Sequence, residues 1–588
     1  MCSIIGYCGR PADLTAFQAG FAKTISRGPD DSRVIDVGQG ILGFHRLSIM
    51  GLHPEGMQPF GLNGSWVVCN GEIYGFEKLK QALSKDYTFT SESDCEVLLP
   101  MYEKYGVGMF EKLDAEFACI LYDGRQKKFI AARDPIGIRP LYYGYDGNGT
   151  ILFASEPKNL VGLTDKILPF PPGHYYCDGK FVCYCDIAAV DHVLPDDLET
   201  VCANIHDKLV AGVKKRLVAD AKVGFLLSGG LDSSATICAM SYISRNCADE
   251  RANKDWQHAY VACFPGTDLD ETKYAKQVTD YLGIRHTFLT IDDAVPEREF
   301  LRQLYCFEEL WGNPQVPMME LYKKERELGT TVSLDGHAAD ELFAGYGFDV
   351  LKAYPDAKGK AEIDQITMAY LNQRREMGYD PSSAEFKRQR NKLYRDYMTK
   401  YYAKKLLGRA DVSSAYADHP NWKKLDNLNK VLFVSTHETI LPTLLRNYDR
   451  DSMASGVEIR MPFLDYRIVE FAFSIGWKSK LHGGFSKSIV RDACADFMPH
   501  DIAYRRTKLG FNAPILDWMR GPYRQFFEDT VADPAFANCS LIDDATGVRA
   551  DLAKFLNGEN ATFHQAADIW NRIQPYLWER ALIRQDWR

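Results

Sequence analysis

The chain lacks the features that would place it in a membrane, in an oxidising compartment or on nucleic acid. No apolar run approaches the ~18 residues that span a bilayer, and residues 1–7 have no basic start and too short an apolar stretch for a secretory signal. The 15 cysteines are scattered, without the spacing of a disulfide framework or a structural zinc site. A net charge of −9 gives no attraction to phosphate backbones. We therefore expect a cytoplasmic protein with reduced cysteines that binds neither membranes nor nucleic acid.

The 588 residues are enough for two to four domains at roughly 100–200 residues each. Residues 2–190 contain short apolar runs between Gly, Pro, Asn and Asp, which predicts a β-rich first domain. Residues 191–205 begin as a polar stretch and are predicted to be a linker. In residues 206–535, strand-like runs alternate with helix-length segments, which predicts a doubly wound parallel α/β sheet followed by a largely helical part. Residues 536–588 are predicted to be a helical extension that packs on this second domain.

The most informative motif is the stretch Ser-Gly-Gly-Leu-Asp-Ser-Ser at residues 228–234. It lies between a predicted buried strand and a predicted helix, where backbone N–H groups and the helix dipole attract anions. Asp232 would repel a phosphate unless Mg²⁺ lay between the two. The stretch matches neither of the two common glycine-rich nucleotide-binding patterns. A glycine-rich turn without a ligand is the alternative, but the complete motif favours a phosphate site.

A second set of residues indicates nucleophilic chemistry at the amino terminus. Cys2 becomes the first residue if the initiator methionine is removed, and its own amine, with a pKa near ~7.7–8.0, is then a base for the thiol. Arg46 is able to bind a carboxylate through two hydrogen bonds. Asn70 and Gly71 offer a pair of donors for an oxyanion, or form a simple hairpin turn. Asp94 either caps a helix or binds an ammonium group.

These motifs resemble those of known enzymes. Residues 228–234 resemble the pyrophosphate loop of ATP pyrophosphatases, which cleave ATP to AMP and pyrophosphate. Cys2 and the polar residues that follow it resemble the class II glutamine amidotransferase domain. The combination resembles the glutamine-hydrolysing asparagine synthetase family over nearly the whole chain. The resemblance implies an αββα sandwich of the N-terminal-nucleophile hydrolases, followed by a doubly wound parallel α/β domain with a largely helical C-terminal part.

The resemblance also implies roles for individual residues. Cys2 is the nucleophile, Asn70 and Gly71 stabilise the oxyanion, and Lys487 offsets charge on the reacting phosphate; for Lys487 the alternative is a solvated helix face. The implied glutamine-binding residues are Arg46, Leu47, Ile49, Asn70, Gly71, Glu72 and Asp94. The implied ATP-binding residues are Leu226, Ser228, Gly229, Gly230, Leu231, Asp232, Ser233, Ser234, Ala262, Asp335 and Gly336. Mg²⁺ is expected on Asp232 and Asp340.

Two departures from the family leave the acceptor substrate open. Residues 335–341 are Asp-Gly-His-Ala-Ala-Asp-Glu, so that His337 and Ala338 replace a glutamate and a glycine. A Thr-Thr-x-Arg stretch associated with aspartate binding is absent, and residues 311–316 lie in its place. Aspartate is the leading acceptor, and a sugar acid or another small carboxylate is the alternative. A cyclase that uses an internal amine is disfavoured because the glutaminase set is complete. A non-catalytic scaffold is disfavoured because Cys2, Asn70, Asp232 and Asp340 are all present. The sequence leaves the oligomeric state open, with a homodimer as one arrangement.

Overall fold

The computed structural model describes residues 1–588 except 11, 190–196, 247–256, 292–293, 376, 508 and 559. Residues 1–189 form two six-stranded antiparallel sheets, with strand orders β10-β8-β9-β1-β3-β2 and β12-β11-β7-β6-β5-β4. The strands are β1 (Ser3–Tyr7), β2 (Asp31–Asp36), β3 (Ile41–Arg46), β4 (Phe60–Leu62), β5 (Ser65–Ile73), β6 (Ala115–Asp123), β7 (Lys128–Arg133), β8 (Tyr142–Tyr145), β9 (Ile151–Ala154), β10 (Ile167–Pro169), β11 (His174–Cys177) and β12 (Lys180–Cys183).

The two sheets pack face to face, and helices cover their outer faces. Successive side chains of a strand point to opposite faces, so Ile4 packs in the apolar layer between the sheets while Ile5 packs beneath the outer helices. Ile120 of β6 joins the inner layer from the opposite sheet. The covering helices are α1 (Leu14–Ala22), α2 (Phe76–Leu83), α3 (Leu98–Tyr105) and α4 (Pro157–Leu160). This is the αββα sandwich that the sequence predicts.

The second half is built on a five-stranded, wholly parallel sheet in the order β15-β14-β13-β16-β17. Its strands are β13 (Val223–Leu226), β14 (His258–Cys263), β15 (Arg285–Thr290), β16 (Val332–Leu334) and β17 (Glu458–Arg460), and its first helices are α5 (Leu198–Arg216), α6 (Leu231–Asn246), α7 (Thr272–Leu282), α8 (Glu297–Phe307) and α9 (Val316–Glu327). The chain runs outward from β13 to β15 and then returns to the other side of β13. A crevice opens at such a reversal, beyond the carboxyl ends of β13 and β16. The predicted doubly wound sheet is confirmed.

The rest of the chain is largely helical, as predicted, apart from β17 and a small hairpin, β18 (Leu481–His482) with β19 (Phe485–Ser486). Its helices are α10 (Ala339–Phe343), α11 (Gly347–Val350), α12 (Lys360–Asn372), α13 (Ala384–Leu406), α14 (Asn427–His437), α15 (Ile440–Met453), α16 (Tyr466–Ser474), α17 (Trp477–Lys480), α18 (Ser488–Cys494), α19 (His500–Ala503), α20 (Ile515–Arg520), α21 (Arg524–Ala532), α22 (Pro534–Asn538), α23 (Ala545–Asn557) and α24 (Phe563–Trp578). No helix within the described ranges is long and apolar enough to cross a membrane.

The predicted linker and the predicted C-terminal extension differ in how much the structure describes. Residues 190–196 lie outside the described residues, and α5 begins at Leu198, capped by the Asp197 side chain. In the extension, Trp570 of α24 is 1% exposed, and its indole N–H donates to the Trp311 carbonyl over 2.7 Å. Helix α24 therefore packs beside the segment that precedes α9.

Candidate active sites

The first candidate site surrounds Cys2, which immediately precedes β1. The Leu47 backbone N–H donates to Cys2 Sγ over 3.4 Å, and the Cys2 backbone N–H donates to Asn70 Oδ1 over 2.8 Å. Burial raises the pKa of the Cys2 thiol to about 11, although the positive chain terminus opposes that rise. The thiol is therefore protonated at neutral pH, and a nucleophilic role requires a base.

Asn70 and Gly71 lie on β5, which brings the predicted oxyanion donors beside Cys2. Asn70 is fully buried, and within the described ranges its Nδ2 has no hydrogen-bond partner. A Cβ on Gly71 would lie 2.2 Å from the Glu116 carbonyl oxygen on the paired strand, so only glycine fits there. The site therefore holds a buried amide donor that is available to a bound group.

The remaining predicted glutamine-binding residues lie on the segments around this strand. The Arg46 guanidinium donates to the carbonyls of His53 at 3.0 Å and Gly51 at 2.5 Å, which fixes its position. The buried Asp94 accepts from the Ile73 backbone N–H over 2.7 Å, and burial raises the pKa of its carboxyl group. The carbonyl of Ile49 accepts from the Asp220 backbone N–H over 3.0 Å, which ties this segment to the second half of the chain.

A buried cluster of charges joins the Cys2 site to the parallel sheet. Arg460 on β17 pairs with Glu72 at 2.9 Å and with Glu458 at 2.7 Å, and Glu458 also binds the Met1 amino group at 2.5 Å. Burial alone would lower the pKa of Arg460, but Glu72 and Glu458 outweigh that effect and raise it above its usual range. The sequence does not reveal the pairing of Arg460 with Glu72, because the two residues lie in different sheets and almost 400 positions apart.

The second candidate site is the turn between β13 and α6. The Gly230 backbone N–H donates to Ser228 Oγ over 3.2 Å, and Ser228 Oγ lies 3.1 Å from Ser233 Oγ. Gly229 has a φ of +77°, and a Cβ there would lie 2.5 Å from the Ala275 backbone nitrogen. A Cβ on Gly336 would lie 2.4 Å from the Asp232 carbonyl carbon. The backbone of the turn therefore packs closely against two other segments at glycine positions.

This turn opens onto a cavity of about 750 Å³. The structure brings most of the predicted ATP-binding residues to its wall: Leu226, Ser228, Gly230, Leu231, Asp232, Ser233, Ala262, Asp335 and Gly336. Gly229 and Ser234 are not among the residues that line it, and Ser234 is fully buried. Asp335 is held in place because it accepts hydrogen bonds from Tyr322 Oη at 2.6 Å and Ser333 Oγ at 2.7 Å.

Lys487 lies between the two predicted metal ligands. Its Nζ is 2.5 Å from Asp232 and 2.6 Å from Asp340. Lys487 is 3% exposed, so the alternative of a solvated helix face is wrong. Burial acts to lower the pKa of Lys487, but the two carboxylates outweigh it and raise the pKa above its usual value.

The two carboxylates suit the way in which proteins hold Mg²⁺. Because both carboxylate oxygens contact Lys487 Nζ, they are no more than about 5 Å apart. Mg²⁺ is commonly held by one or two carboxylates together with substrate phosphates and water. The described residues contain no group of three or more His, Cys, Asp or Glu placed to hold a metal ion. Asp232 and Asp340 therefore fit a metal ion whose other ligands come from a bound nucleotide.

Other cavity residues were not anticipated from the sequence. Arg491 and Arg505 line the wall, and Arg505 pairs with Glu271 at 2.5 Å. Burial lowers the pKa of Arg491 to about 10, so this side chain remains a cation at neutral pH. These arginines lie more than 250 positions after the 228–234 turn, and no spacing rule connects them to it.

The fold and both sites define a class of protein: an N-terminal-nucleophile sandwich joined to a parallel sheet of the ATP-pyrophosphatase type. Residues 1–168 match the family model for a glutamine amidotransferase domain, and residues 204–578 match the family model for asparagine synthase. The second match covers well over half of the chain. The chain belongs to the asparagine synthase family.

Curated relatives support this assignment. A rice protein named asparagine synthetase [glutamine-hydrolyzing] 2 is 33% identical over 92% of this chain and 82% of its own length. Proteins named probable asparagine synthetase [glutamine-hydrolyzing] from Dictyostelium discoideum and Schizosaccharomyces pombe are each 35% identical, over 54% and 59% of this chain. These two alignments span 60% and 66% of the relatives' own lengths, which is less than two thirds.

Proposed function

We propose that this protein is a glutamine-dependent asparagine synthetase that converts aspartate, ATP and glutamine into asparagine, AMP, pyrophosphate and glutamate. The observation that carries the proposal is that one chain holds both candidate sites. In one, the half-buried Cys2 lies beside the Asn70 amide, whose Nδ2 has no partner among the described residues. In the other, Lys487, Asp232 and Asp340 form a cluster in a large cavity. We assign residues 2–190 to the glutaminase, 206–535 to the synthetase and 536–588 to a helical extension. We assign residues 191–205 to the linker, whose last part, from Leu198 on, forms the start of α5.

In the glutaminase, removal of Met1 gives Cys2 a free amine that takes the proton from its own thiol. The thiolate then attacks the side-chain amide carbon of glutamine. Asn70 Nδ2 and the Gly71 N–H donate to the oxyanion that forms, and they act strongly because the site is buried. The C–N bond breaks with transfer of a proton to nitrogen, which releases ammonia. Water hydrolyses the γ-glutamyl thioester to glutamate and regenerates the thiol.

The neighbouring charges fit the other end of glutamine. Arg46, held by two backbone carbonyls, is assigned to the α-carboxylate, and Glu72 with Asp94 to the α-ammonium group. Leu47 orients the Cys2 thiol through its backbone N–H. Ile49 anchors the same segment to Asp220. This arrangement would select glutamine by both of its charged groups.

In the synthetase, the 228–234 turn is assigned to the pyrophosphate portion of ATP. Asp232 and Asp340 would hold Mg²⁺, which when bound supplies positive charge against the phosphate oxygens. Lys487 would move from these carboxylates to the α-phosphate. The acceptor carboxylate attacks the α-phosphorus, so that pyrophosphate leaves and an acyl-adenylate forms. Ammonia then attacks the acyl carbon and AMP leaves.

The test is pyrophosphate release from Mg-ATP and glutamine, with and without aspartate, together with mass analysis of the amide product. We expect aspartate-dependent release and formation of asparagine. Cys2→Ala should lose the glutamine-driven reaction but retain the reaction driven by ammonium chloride. Glutamine hydrolysis without aspartate-dependent release would refute aspartate as the acceptor. Loss of both reactions in Cys2→Ala would refute the assignment of two separate sites.

A further inference from the structure

Two buried asparagines in the cavity wall have polar atoms without partners. Asn447 on α15 is 2% exposed, and neither its Oδ1 nor its Nδ2 has a hydrogen-bond partner in the described part of the chain. Asn313, 6% exposed, donates weakly from Nδ2 to the Ala513 carbonyl at 3.4 Å, while its Oδ1 is unpartnered within the same ranges. An unpaired buried polar group costs about 1–3 kcal/mol, and folded proteins pair most such groups. Such atoms in a cavity wall indicate a polar ligand.

Ion pairs bring the segments that carry these two asparagines together. Arg446, next to Asn447, pairs with Glu309 at 2.9 Å, and Glu309 lies four positions before Asn313. Arg450, one turn further along α15, donates to the Phe307 carbonyl over 2.9 Å and pairs with Glu309 at 3.0 Å. Helix α15 is therefore fixed against the loop that leads to Asn313. Both asparagines line the same cavity.

His337 connects this region to the phosphate turn. Its ring stacks on Tyr448, with ring centroids 3.6 Å apart and planes at 12°. His337 follows Gly336, which packs against the Asp232 backbone. The stack therefore sets the position of the α15 turn that carries Asn447 relative to Asp232. The side chain that replaces the family's glutamate therefore contacts Tyr448, a neighbour of Asn447, and its Nε2 also lies 3.5 Å from Asp335 Oδ2 in the nucleotide site.

We infer that Asn447 and Asn313 form the subsite for the charged head of the acceptor, an α-amino acid; the inference rests on the proposed function. An α-ammonium group only donates hydrogen bonds, and an α-carboxylate only accepts them. Asn447 Nδ2 donates to the carboxylate, while the Oδ1 atoms of Asn447 and Asn313 accept from the ammonium group. The carboxylate at the other end of the acceptor then faces the nucleotide. A dicarboxylate without an amino group, such as succinate, leaves both Oδ1 atoms without a charged donor.

The test measures aspartate dependence of pyrophosphate release with ammonium chloride as nitrogen donor, in wild type, Asn447→Leu and Asn313→Leu. Losing hydrogen bonds to a charged group corresponds to roughly 10- to 100-fold, so we expect the aspartate KM to rise by about that factor in Asn447→Leu. The ATP KM and glutamine hydrolysis should stay within about twofold. Wild type should not use succinate. An unchanged aspartate KM in both variants would overturn the subsite.

Failure of the proposed function gives a different result, because wild type itself would then show no aspartate-dependent release. If Asn447→Leu does not fold by circular dichroism, Asn447→Asp has nearly the same shape. It replaces the donating amide by a negative acceptor that repels the α-carboxylate. It should raise the aspartate KM with unchanged glutaminase activity, and an unchanged KM would again overturn the subsite.

A second pair of variants tests whether His337 positions Asn447 through its stack on Tyr448. His337→Phe retains a stacking ring and should keep the wild-type aspartate KM, whereas His337→Ala should raise it. Equal KM values would remove that role.

Discussion

Replacing Lys487 by methionine should stop adenylation and leave glutamine hydrolysis intact. Methionine keeps most of the side-chain length but removes the cation that lies 2.5 Å from Asp232 and 2.6 Å from Asp340. A preorganised charge at the reacting group is typically responsible for a factor of about 10²–10³ in rate, or roughly 3–4 kcal/mol. The two carboxylates, within about 5 Å of each other, would share a proton in the variant, which limits the loss of folding stability.

The assay compares pyrophosphate release at saturating Mg-ATP and aspartate, driven either by glutamine or by ammonium chloride, with glutamate formation measured separately. Both synthetase rates should fall by the same 10²- to 10³-fold factor, while glutamate formation stays constant. Lys480→Met is the matched control, because Lys480 is also fully buried but donates to Asn429 Oδ1 at 2.6 Å and does not line the cavity. A fall of less than tenfold in Lys487→Met, or an equal fall in the control, would refute the assignment.

Three further predictions concern other buried charges and the chain terminus. Burial lowers the pKa of Lys480 to about 7, so the unfolded state binds more protons between pH 7 and ~10.4, and this residue makes stability rise with pH over that window. Lys480→Met should lose that increment, roughly 5 kcal/mol at most. Denaturant melts of the variant and wild type across this pH range test this, and parallel stability curves would contradict it. A lysine inserted before Cys2 should block removal of the initiator methionine, which intact mass verifies. The glutamine-driven reaction should then be lost while the ammonia-driven reaction remains. Retained glutaminase activity would show that the free amine of Cys2 is not the base. Arg460→Met leaves Glu72 and Glu458 buried without their shared partner. We therefore expect the unfolding free energy to fall by about 3–5 kcal/mol and the glutamine KM to rise. A melting temperature equal to that of wild type would contradict a stabilising role of these ion pairs.

The parts of the fold that could be predicted from sequence are those with a local pattern. The 228–234 turn is contiguous, and its glycines and serines describe a strand–turn–helix phosphate site without knowledge of distant residues. The short apolar runs between Gly, Pro, Asn and Asp in residues 2–190 predict the β-rich first half. Strand β17 was not anticipated, because its three residues, Glu458–Arg460, are too few for a periodic signal. Its place in the sheet depends on pairing with β16, more than 120 positions earlier.

The parts of the sites that could not be predicted depend on contacts between distant segments. Lys487 lies 255 positions after Asp232 in sequence, and only the fold shows that it bridges two carboxylates rather than facing solvent. Ala338 is a further example, because it adopts a φ of +78° where the family has a glycine. That conformation costs a side-chain-bearing residue about 1–3 kcal/mol. The surrounding structure therefore holds Ala338 in a backbone conformation that favours glycine.

The two sites depend on each other through the charges buried between them. Glu72, assigned to glutamine binding, has its cationic partner Arg460 on β17 of the parallel sheet, and Arg27 of the first half pairs with Asp449 of α15 at 2.6 Å. Asp449 lies two positions from Asn447, in the helix that we assign to the acceptor. An isolated glutaminase half would leave Glu72 without Arg460, and it would leave Arg27 with Glu156 as its carboxylate partner, at 2.6 Å. An uncompensated buried charge costs several kcal/mol. We therefore expect the proposed glutamine site to be complete only when the second half is folded against it, which would give a physical reason for both proposed activities to reside in one chain.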